Sequence, residues 1–208
     1  MTVSRRAFLL VAAAGAVAGC SGGSHPRAAT TTTTSTTAPP GLPQPSGDVA
    51  VAARAAALEN ATAAAYASVL GLDRLGAVPA GLKGLWQTFE SHHRDHATAW
   101  NAILTAAGEA AVTSGDAGFA GSVVAPGLAA VKDLGGAVAF VVGIERAMAA
   151  TYLMAIDGTL TTAGALQTAA AIQPMEMQHA AMLELLAGTD PVPASFATTT
   201  GALALSSS

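Results

Sequence analysis

A pattern of one glutamate followed by a Glu-x-x-His motif occurs twice in this chain. The first copy comprises Glu59, Glu90 and His93, and the second comprises Glu145, Glu176 and His179. In each copy the single glutamate precedes the motif by 31 residues, and every member of the second copy lies 86 residues after its counterpart. Equal offsets at three positions predict a duplicated unit, and this constrains the fold more than any other feature of the sequence.

Four amphipathic stretches carry these six residues. Apolar residues recur at helical spacing in residues 48–72, 79–107, 134–157 and 163–187. Each glutamate of the pattern falls in the middle of the apolar stripe of its own helix. Thr161 or Thr162 is the expected cap of the fourth helix, Gly108 and Gly188 are placed to end the second and fourth, and Pro174 is expected to kink the fourth.

The lengths of the connections predict how the helices are arranged. Short glycine-containing turns join the first helix to the second and the third to the fourth, which indicates two antiparallel hairpins. Between the hairpins lies a Gly- and Ala-rich stretch, residues 108–131, which is long enough to run the ~37 Å length of a 25-residue helix. The predicted fold class is therefore all-α: an antiparallel four-helix bundle with a long crossover between helices 2 and 3.

Four carboxylates on apolar stripes need a chemical explanation, because each buried charge costs several kcal/mol or more unless it is neutralised or paired. Two divalent cations would balance the four negative charges. A spacing of three residues also places each motif glutamate beside its histidine on one helical face. A mixed carboxylate and imidazole set suits iron or manganese, while zinc or cobalt can also bind. The alternatives are that the glutamates only keep the bundle soluble, or that a duplicated fold retains an empty or altered site.

The order Glu, E-x-x-H, Glu, E-x-x-H on four helices resembles the ferritin-like di-iron carboxylate superfamily over about residues 48–187. Within that superfamily the chain is most similar to the small exported ferritin-like domain proteins, including lipoproteins, of actinobacteria. The resemblance implies a ferritin-like bundle that holds two iron ions, or manganese. It also implies the ligand roles: Glu59 and Glu145 as single or bridging carboxylates, and Glu90 with His93 and Glu176 with His179 as the two capping pairs.

Several neighbours of the motif residues are candidates for supporting contacts. Tyr66 and Tyr152 each lie seven residues after a single glutamate. They are candidates to hydrogen-bond a ligand on the partner helix, to serve as redox-active neighbours of the metals, or to pack in the core with a satisfied hydroxyl group. His96 lies one turn beyond the first motif and is a candidate spare ligand or proton relay. Its counterpart in the second copy is Met182, which favours an asymmetric role or simple packing. His92 is expected to point towards solvent.

The segments on either side of the bundle indicate export and tethering. Residues 1–20 have the basic pair, apolar run and small-residue end of an export signal, which resembles a twin-arginine signal. The residues before Cys20 resemble a lipobox, so we expect a lipid on Cys20 to hold the protein at the outer face of the cytoplasmic membrane, in the cell envelope. The alternative is an ordinary cleaved signal. Residues 21–47 are rich in Thr and Pro and predict a solvated stalk, and residues 188–208 are expected to be a disordered tail.

Composition narrows the functional classes. The formal charge is −4 and the basic residues are scattered, which argues against nucleic acid as a partner. Since Cys20 is the only cysteine, the bundle cannot contain a disulfide or a thiolate cluster. The leading hypothesis is a di-iron or di-manganese oxidoreductase that uses Fe(II), peroxide or dioxygen. The alternatives are a non-enzymatic envelope protein that binds a partner or has a structural role, and, less favoured for a tethered chain, an iron store. An oligomer is compatible with either hypothesis.

Overall fold

The computed structural model describes residues 47–205, and this part of the chain contains helices and no β-strand. Four long helices form the bundle: α1 (Gly47–Leu70), α2 (Ala80–Ala106), α3 (Leu134–Met154) and α4 (Ala163–Leu186). Their bounds agree with the predicted helices to within three residues, so the all-helical bundle is confirmed. The expected export signal, Cys20 and the stalk up to residue 46 lie outside the described residues.

The helices pack as two antiparallel hairpins, α1 along α2 and α3 along α4. The ring of Tyr66, near the end of α1, meets the ring of Phe89, near the start of α2, with centroids 6.2 Å apart. Two turns earlier in α1, Glu59 lies beside His96, which is two turns later in α2. α1 and α2 therefore run in opposite directions, as the short connection between them predicted.

Glycines end two of the long helices. Gly108 and Gly188 have φ values of 81° and 74°, in the left-handed region that favours glycine. The residue after each glycine donates its backbone N–H to a carbonyl five residues earlier, which satisfies one of the free carbonyl groups at the helix end. The predicted stop signals are therefore confirmed.

The start of α4 is capped by a residue from α1. Thr162 occupies the cap position, but its side chain makes no capping hydrogen bond. The carboxylate of Asp48 accepts hydrogen bonds from the backbone N–H groups of Thr161 (3.0 Å) and Thr162 (2.6 Å). Thr162 is therefore the cap residue by position, as predicted, but the charged carboxylate of Asp48 supplies the acceptor that the threonine hydroxyl does not. The helix then continues through Pro174 to Leu186 without an interruption.

The crossover between the hairpins has local structure that the sequence pattern did not predict. It contains short helical segments at Ala117–Phe119, Ala120–Val124 and Ala125–Ala130. Its first part is fixed by Asn101 of α2, whose amide donates to the carbonyl of Val112 (2.9 Å) and accepts from its N–H (2.7 Å). Gly115 then passes so close to α1 that an added Cβ would lie 3.1 Å from the Cβ of Ala61. The close approach explains the glycine at this position.

The tail differs from the expected disordered segment over residues 188–205. Leu205 is 2% exposed and belongs to the same buried cluster as side chains of α1 and α4. The backbone N–H of Leu203 donates to the hydroxyl of Thr151 in α3 over 2.8 Å. Burial of Leu205 and the hydrogen bond of Leu203 favour an ordered path of this segment along the bundle.

Buried apolar side chains form two clusters with a polar layer between them. The first contains, among others, Ala52, Ala55, Trp100, Leu104, Met148 and Ile172. The second contains Tyr66, Val69, Trp86, Phe89, Val141 and Leu183. Along α2 and α4, the buried His93, Glu176 and His179 lie between members of the two clusters, and the buried Glu59 and Glu145 face them from positions beside the first cluster. The fold therefore places charged side chains at its centre, enclosed by apolar packing on both sides.

The stretch Leu134–Thr159, which comprises α3 and the turn after it, is long and apolar enough to cross a membrane. In the apolar window, however, 50% of the residues are buried inside the bundle. Glu145 lies in the middle of this stretch and faces the polar layer. These features fit the central helix of a bundle, which also explains the high hydropathy.

Candidate metal centre

Five of the six pattern residues meet in the polar layer. Each is at most 1% exposed: Glu59, His93, Glu145, Glu176 and His179. Together with His96 they form two overlapping groups of four, and within each group one ligand atom per residue lies within 4.8 Å of all the others. His93 and Glu176 belong to both groups. Helices from both hairpins therefore bring carboxylates and imidazoles within the distance that a metal ion can span.

His93 joins the single glutamates of the two hairpins. Its Nδ1 lies 2.7 Å from Oε2 of Glu59, and its Nε2 lies 3.1 Å from Oε1 of Glu145. Burial alone would lower the pKa of His93, but the carboxylates of Glu176 and Glu145 outweigh it and raise this pKa well above its usual value. Burial would likewise raise the pKa values of Glu59 and Glu145, yet the adjacent histidines lower both. A cation can replace the positive charge that protons supply here.

Both tyrosines hydrogen-bond the glutamate of the opposite hairpin. The hydroxyl group of Tyr66 donates to Oε1 of Glu145, and that of Tyr152 donates to Oε1 of Glu59. Trp100 supports the second contact by donating its indole N–H to the Tyr152 hydroxyl over 3.1 Å. Burial and the neighbouring carboxylates raise the pKa of both tyrosines well above 10, so both remain neutral donors. Of the alternatives for these two tyrosines, the structure shows the hydrogen bond to a glutamate on another helix.

Glu176 is buried without a hydrogen-bond partner for either carboxylate oxygen. The nearest nitrogen, Nδ1 of His96, is 2.9 Å from Oε1, but the two atoms are not aligned for a hydrogen bond. Burial first, and then the charges of Glu59 and Glu145, raise the pKa of Glu176 above its usual value, against the opposing effect of His93. A buried carboxylate that lacks donors costs several kcal/mol. A bound cation would remove this penalty, and the donor set therefore fits a metal ion.

Glu90 does not join the centre, and its expected role as a metal ligand is not supported by its position. Its side chain is 20% exposed, and its Oε1 lies 2.6 Å from Nη2 of Arg94, one turn later on α2. The neighbouring Phe89 takes the inward position, 2% exposed, with its ring centroid 4.0 Å from that of His179. Burial of an aromatic ring is favourable, whereas Glu90 at the seam keeps contact with water and a cation. α2 therefore presents Phe89 to the centre, whereas α4 presents Glu176.

Two other histidines of α2 lie closer to the centre than the sequence suggested. Nδ1 of His96 is 3.6 Å from Glu59 and 2.9 Å from Glu176, and the two carboxylates overcome the effect of burial to raise the His96 pKa to about 9. His92, expected in solvent, is half-buried, with its Nδ1 3.0 Å from Nε2 of His179. Burial and the charge of His179 lower the pKa of His92. The signal in the sequence that could have indicated this was the presence of three histidines within the five residues 92–96.

Among the described residues, the partly exposed side chains of the metal centre lie along one edge, which we call the accessible edge. Trp86, Phe89 and Trp100 are at most 2% exposed and close the centre on the apolar sides. His92 and His96, at the seam between α2 and α4, are the centre's partly exposed members. Within the described part of the chain, the centre is therefore less enclosed at this seam than on its apolar sides.

The comparison with known families agrees with the fold. The model of a family described as a ferritin-like domain matches residues 47–189, which is more than half of the chain. This match covers the four long helices and every residue of the centre. No curated protein and no solved structure matches the chain.

Proposed function

Because the chain belongs to the ferritin-like domain family, we propose that it is an exported, membrane-tethered metalloprotein with a centre for two iron or manganese ions. Its proposed activity is redox chemistry on Fe(II), peroxide or dioxygen. The carboxylate of Glu176 is the observation that carries this proposal, because it is 0% exposed and neither of its oxygens has a hydrogen-bond partner.

Two ions are favoured over one because the donor atoms fall into two overlapping groups. Glu59 and His96 belong only to the first group, whereas Glu145 and His179 belong only to the second. Glu176 belongs to both groups, and since neither of its oxygens makes a hydrogen bond, it would help to hold either ion. The residues that would hold the ions thus come from all four helices.

Bound iron or manganese would supply the one-electron changes that reduction of peroxide or dioxygen requires. The chain's own residues supply position and protons. The neutral hydroxyl groups of Tyr66 and Tyr152 hold the carboxylates of Glu145 and Glu59 in place. A proton on Nε2 of His179 can pass to Nδ1 of His92, 3.0 Å away at the accessible edge. The apolar clusters on either side exclude bulk water.

Metal content and turnover test the proposal directly. The protein is reconstituted without oxygen with Fe(II) or Mn(II), the bound metal is quantified, and the consumption of peroxide and the oxidation of added Fe(II) are followed. We expect about two ions per chain, and loss of both binding and turnover in Glu176→Ala and His179→Ala. A wild-type protein that retains neither metal would contradict the proposal.

Export and tethering rest on residues 1–20 and are tested separately. In the natural host, we expect the protein in the membrane fraction of the envelope, whereas Cys20→Ala should appear in the soluble exported fraction. Recovery of both forms in the cytoplasm would overturn this part of the proposal and leave the metal centre unaffected.

A structural role for the polar layer is the second candidate function. It is favoured by the donors that Glu59 and Glu145 already receive from Tyr152, Tyr66 and His93. In that case any metal only holds the hairpins together. Chelation would then lower the melting temperature, while the reconstituted protein would neither consume peroxide nor oxidise Fe(II).

A further inference from the structure

We infer that His96, in place of Glu90, is the second metal ligand that α2 supplies to this centre. The inference rests on the proposed metal site and changes its ligand set. α2 would then contribute two imidazoles, from His93 and His96, whereas α4 contributes a carboxylate and an imidazole, from Glu176 and His179.

The position of His96 supports this assignment. It shares a four-residue donor group with Glu59, His93 and Glu176, whose ligand atoms lie within 4.8 Å of one another. Its Nδ1 lies 2.9 Å from Oε1 of Glu176, and both atoms are buried without a hydrogen-bond partner. The two atoms are at ion-pair distance but are not aligned for a hydrogen bond, and a cation bound by both residues would satisfy each of them.

Glu90 is held away from the same position. Its carboxylate pairs with Arg94 at 2.6 Å, and Phe89 fills the inward site beside the His179 ring. In the second copy the counterpart of His96 is Met182, which is 47% exposed on α4 and supplies no imidazole. The two hairpins are therefore unequal at this point, and α2 compensates for the missing carboxylate with a histidine six residues further along.

This ligand set changes the class of metal that the centre prefers. Replacing a carboxylate by an imidazole leaves three carboxylates and three imidazoles, with a charge of −3 when the histidines are neutral. Carboxylate-rich sites suit manganese, whereas imidazole raises the preference for iron, cobalt and zinc. Fe(II), Co(II) and Zn(II) bind most nitrogen and oxygen sites more tightly than Mn(II), and we expect the additional imidazole to widen this difference.

Cobalt binding to the full-length chain tests the assignment without requiring redox turnover. Co(II) is titrated into the wild type, His96→Gln and Glu90→Gln, and binding is followed by visible absorption. His96→Gln should weaken binding by at least about tenfold, as expected for loss of a group that orients or ligates the ion. Glu90→Gln, the matched control, should stay within about twofold because it disturbs only a surface pair.

Arg94→Ala provides a second discriminating variant. If Glu90 bound the metal, it would have to leave Arg94, and removal of Arg94 would strengthen binding. With His96 as the ligand, Arg94→Ala leaves the affinity within about twofold. In addition, paramagnetically shifted ring N–H signals of the Co(II) protein should come from three histidines in the wild type and from two in His96→Gln.

The outcomes separate this inference from the proposed function. Unchanged Co(II) affinity and unchanged shifted signals in His96→Gln, with weakened binding in Glu90→Gln, would overturn the ligand assignment alone. A wild type that binds no Co(II) would overturn both. Tight Co(II) binding that depends on His96, in a protein that does not react with peroxide or Fe(II), would support the ligand and contradict only the redox activity.

Discussion

Tyr66 donates a hydrogen bond from its hydroxyl group to Glu145 and thereby joins α1 to α3. The same contact recurs with the hairpins exchanged, from Tyr152 to Glu59. The duplicated sequence is therefore preserved as a two-fold relationship between these four side chains. At Glu90 and Glu176 this relationship is lost, because one carboxylate is at the surface and the other is fully buried.

Tyr66→Phe and Tyr152→Phe should each lower the free energy of unfolding by about 1.5–3 kcal/mol, the range for a hydrogen bond to a charged group. Each substitution leaves a buried carboxylate without one of its donors while the ring volume is retained. Denaturant unfolding of the metal-free protein measures the effect. Ser68→Ala is the control, because that exposed hydroxyl group bonds only to its own helix. Equal stability of both tyrosine variants and the wild type would contradict the role of these contacts.

Glu176→Gln should change stability and metal binding in opposite directions. Without metal, the substitution removes a buried charge that lacks donors, and we expect unfolding to become less favourable by about 1–3 kcal/mol. Metal affinity should fall, since a carboxylate ligand is lost. Glu184→Gln is the matched control: Glu184 is also buried but accepts a hydrogen bond from Nε of Arg146 at 2.6 Å, so its loss should not stabilise the protein. A less stable metal-free Glu176→Gln protein would refute the interpretation.

Asp48 should make the stability dependent on acid. Burial would raise its pKa, but the hydrogen bonds from Thr162 and Thr161 lower it below the usual 3.8. The contribution of Asp48 is therefore present above pH 3.8 and is lost as the pH falls through the lower pKa of the folded state. Asp48→Asn should lower the free energy of unfolding by about 1 kcal/mol near neutral pH, and by progressively less as the pH falls below 3.8. Urea unfolding at several pH values measures this, with the exposed Asp73→Asn as the control; a pH-independent difference would exclude the linkage.

Leu205→Ala should destabilise the bundle by about 2–3 kcal/mol, as expected for a large-to-small change at a buried site. The destabilisation is expected only if the segment around Leu205 remains packed on the bundle core in solution. Leu186→Ala makes the same chemical change at a position that is 61% exposed, so it should have little effect on the melting temperature. Equal melting temperatures for the two variants would show that the tail does not pack on the core in solution.

Periodic features of the chain were predictable from the sequence. Apolar spacing located the four long helices, and Gly108 and Gly188 marked two of their ends, because a left-handed φ is a local property of the backbone. The offset of 86 residues likewise identified six residues, five of which meet in the polar layer. These inferences needed only helical geometry and the lengths of the connections.

Features that depend on contacts between distant segments were not predictable in this way. The duplication implied equal roles for Glu90 and Glu176, but α2 packs Phe89 against the ring of His179 and leaves Glu90 beside Arg94. For the same reason His92 appeared solvent-facing, although it meets a histidine on another helix. The capping of α4 by Asp48 joins residues that are 113 and 114 positions apart, which no local pattern reveals.

The polar layer between the two apolar clusters has a consequence for the order of folding. Each hairpin is stabilised by contacts between helices that are neighbours in sequence, and such contacts form early and fast. Association of the hairpins encloses Glu59, Glu145 and Glu176 and is therefore the step at which their charges must be neutralised. We expect this association to be the rate-determining event, and we expect divalent cations to accelerate it and a chelator present during refolding to slow it.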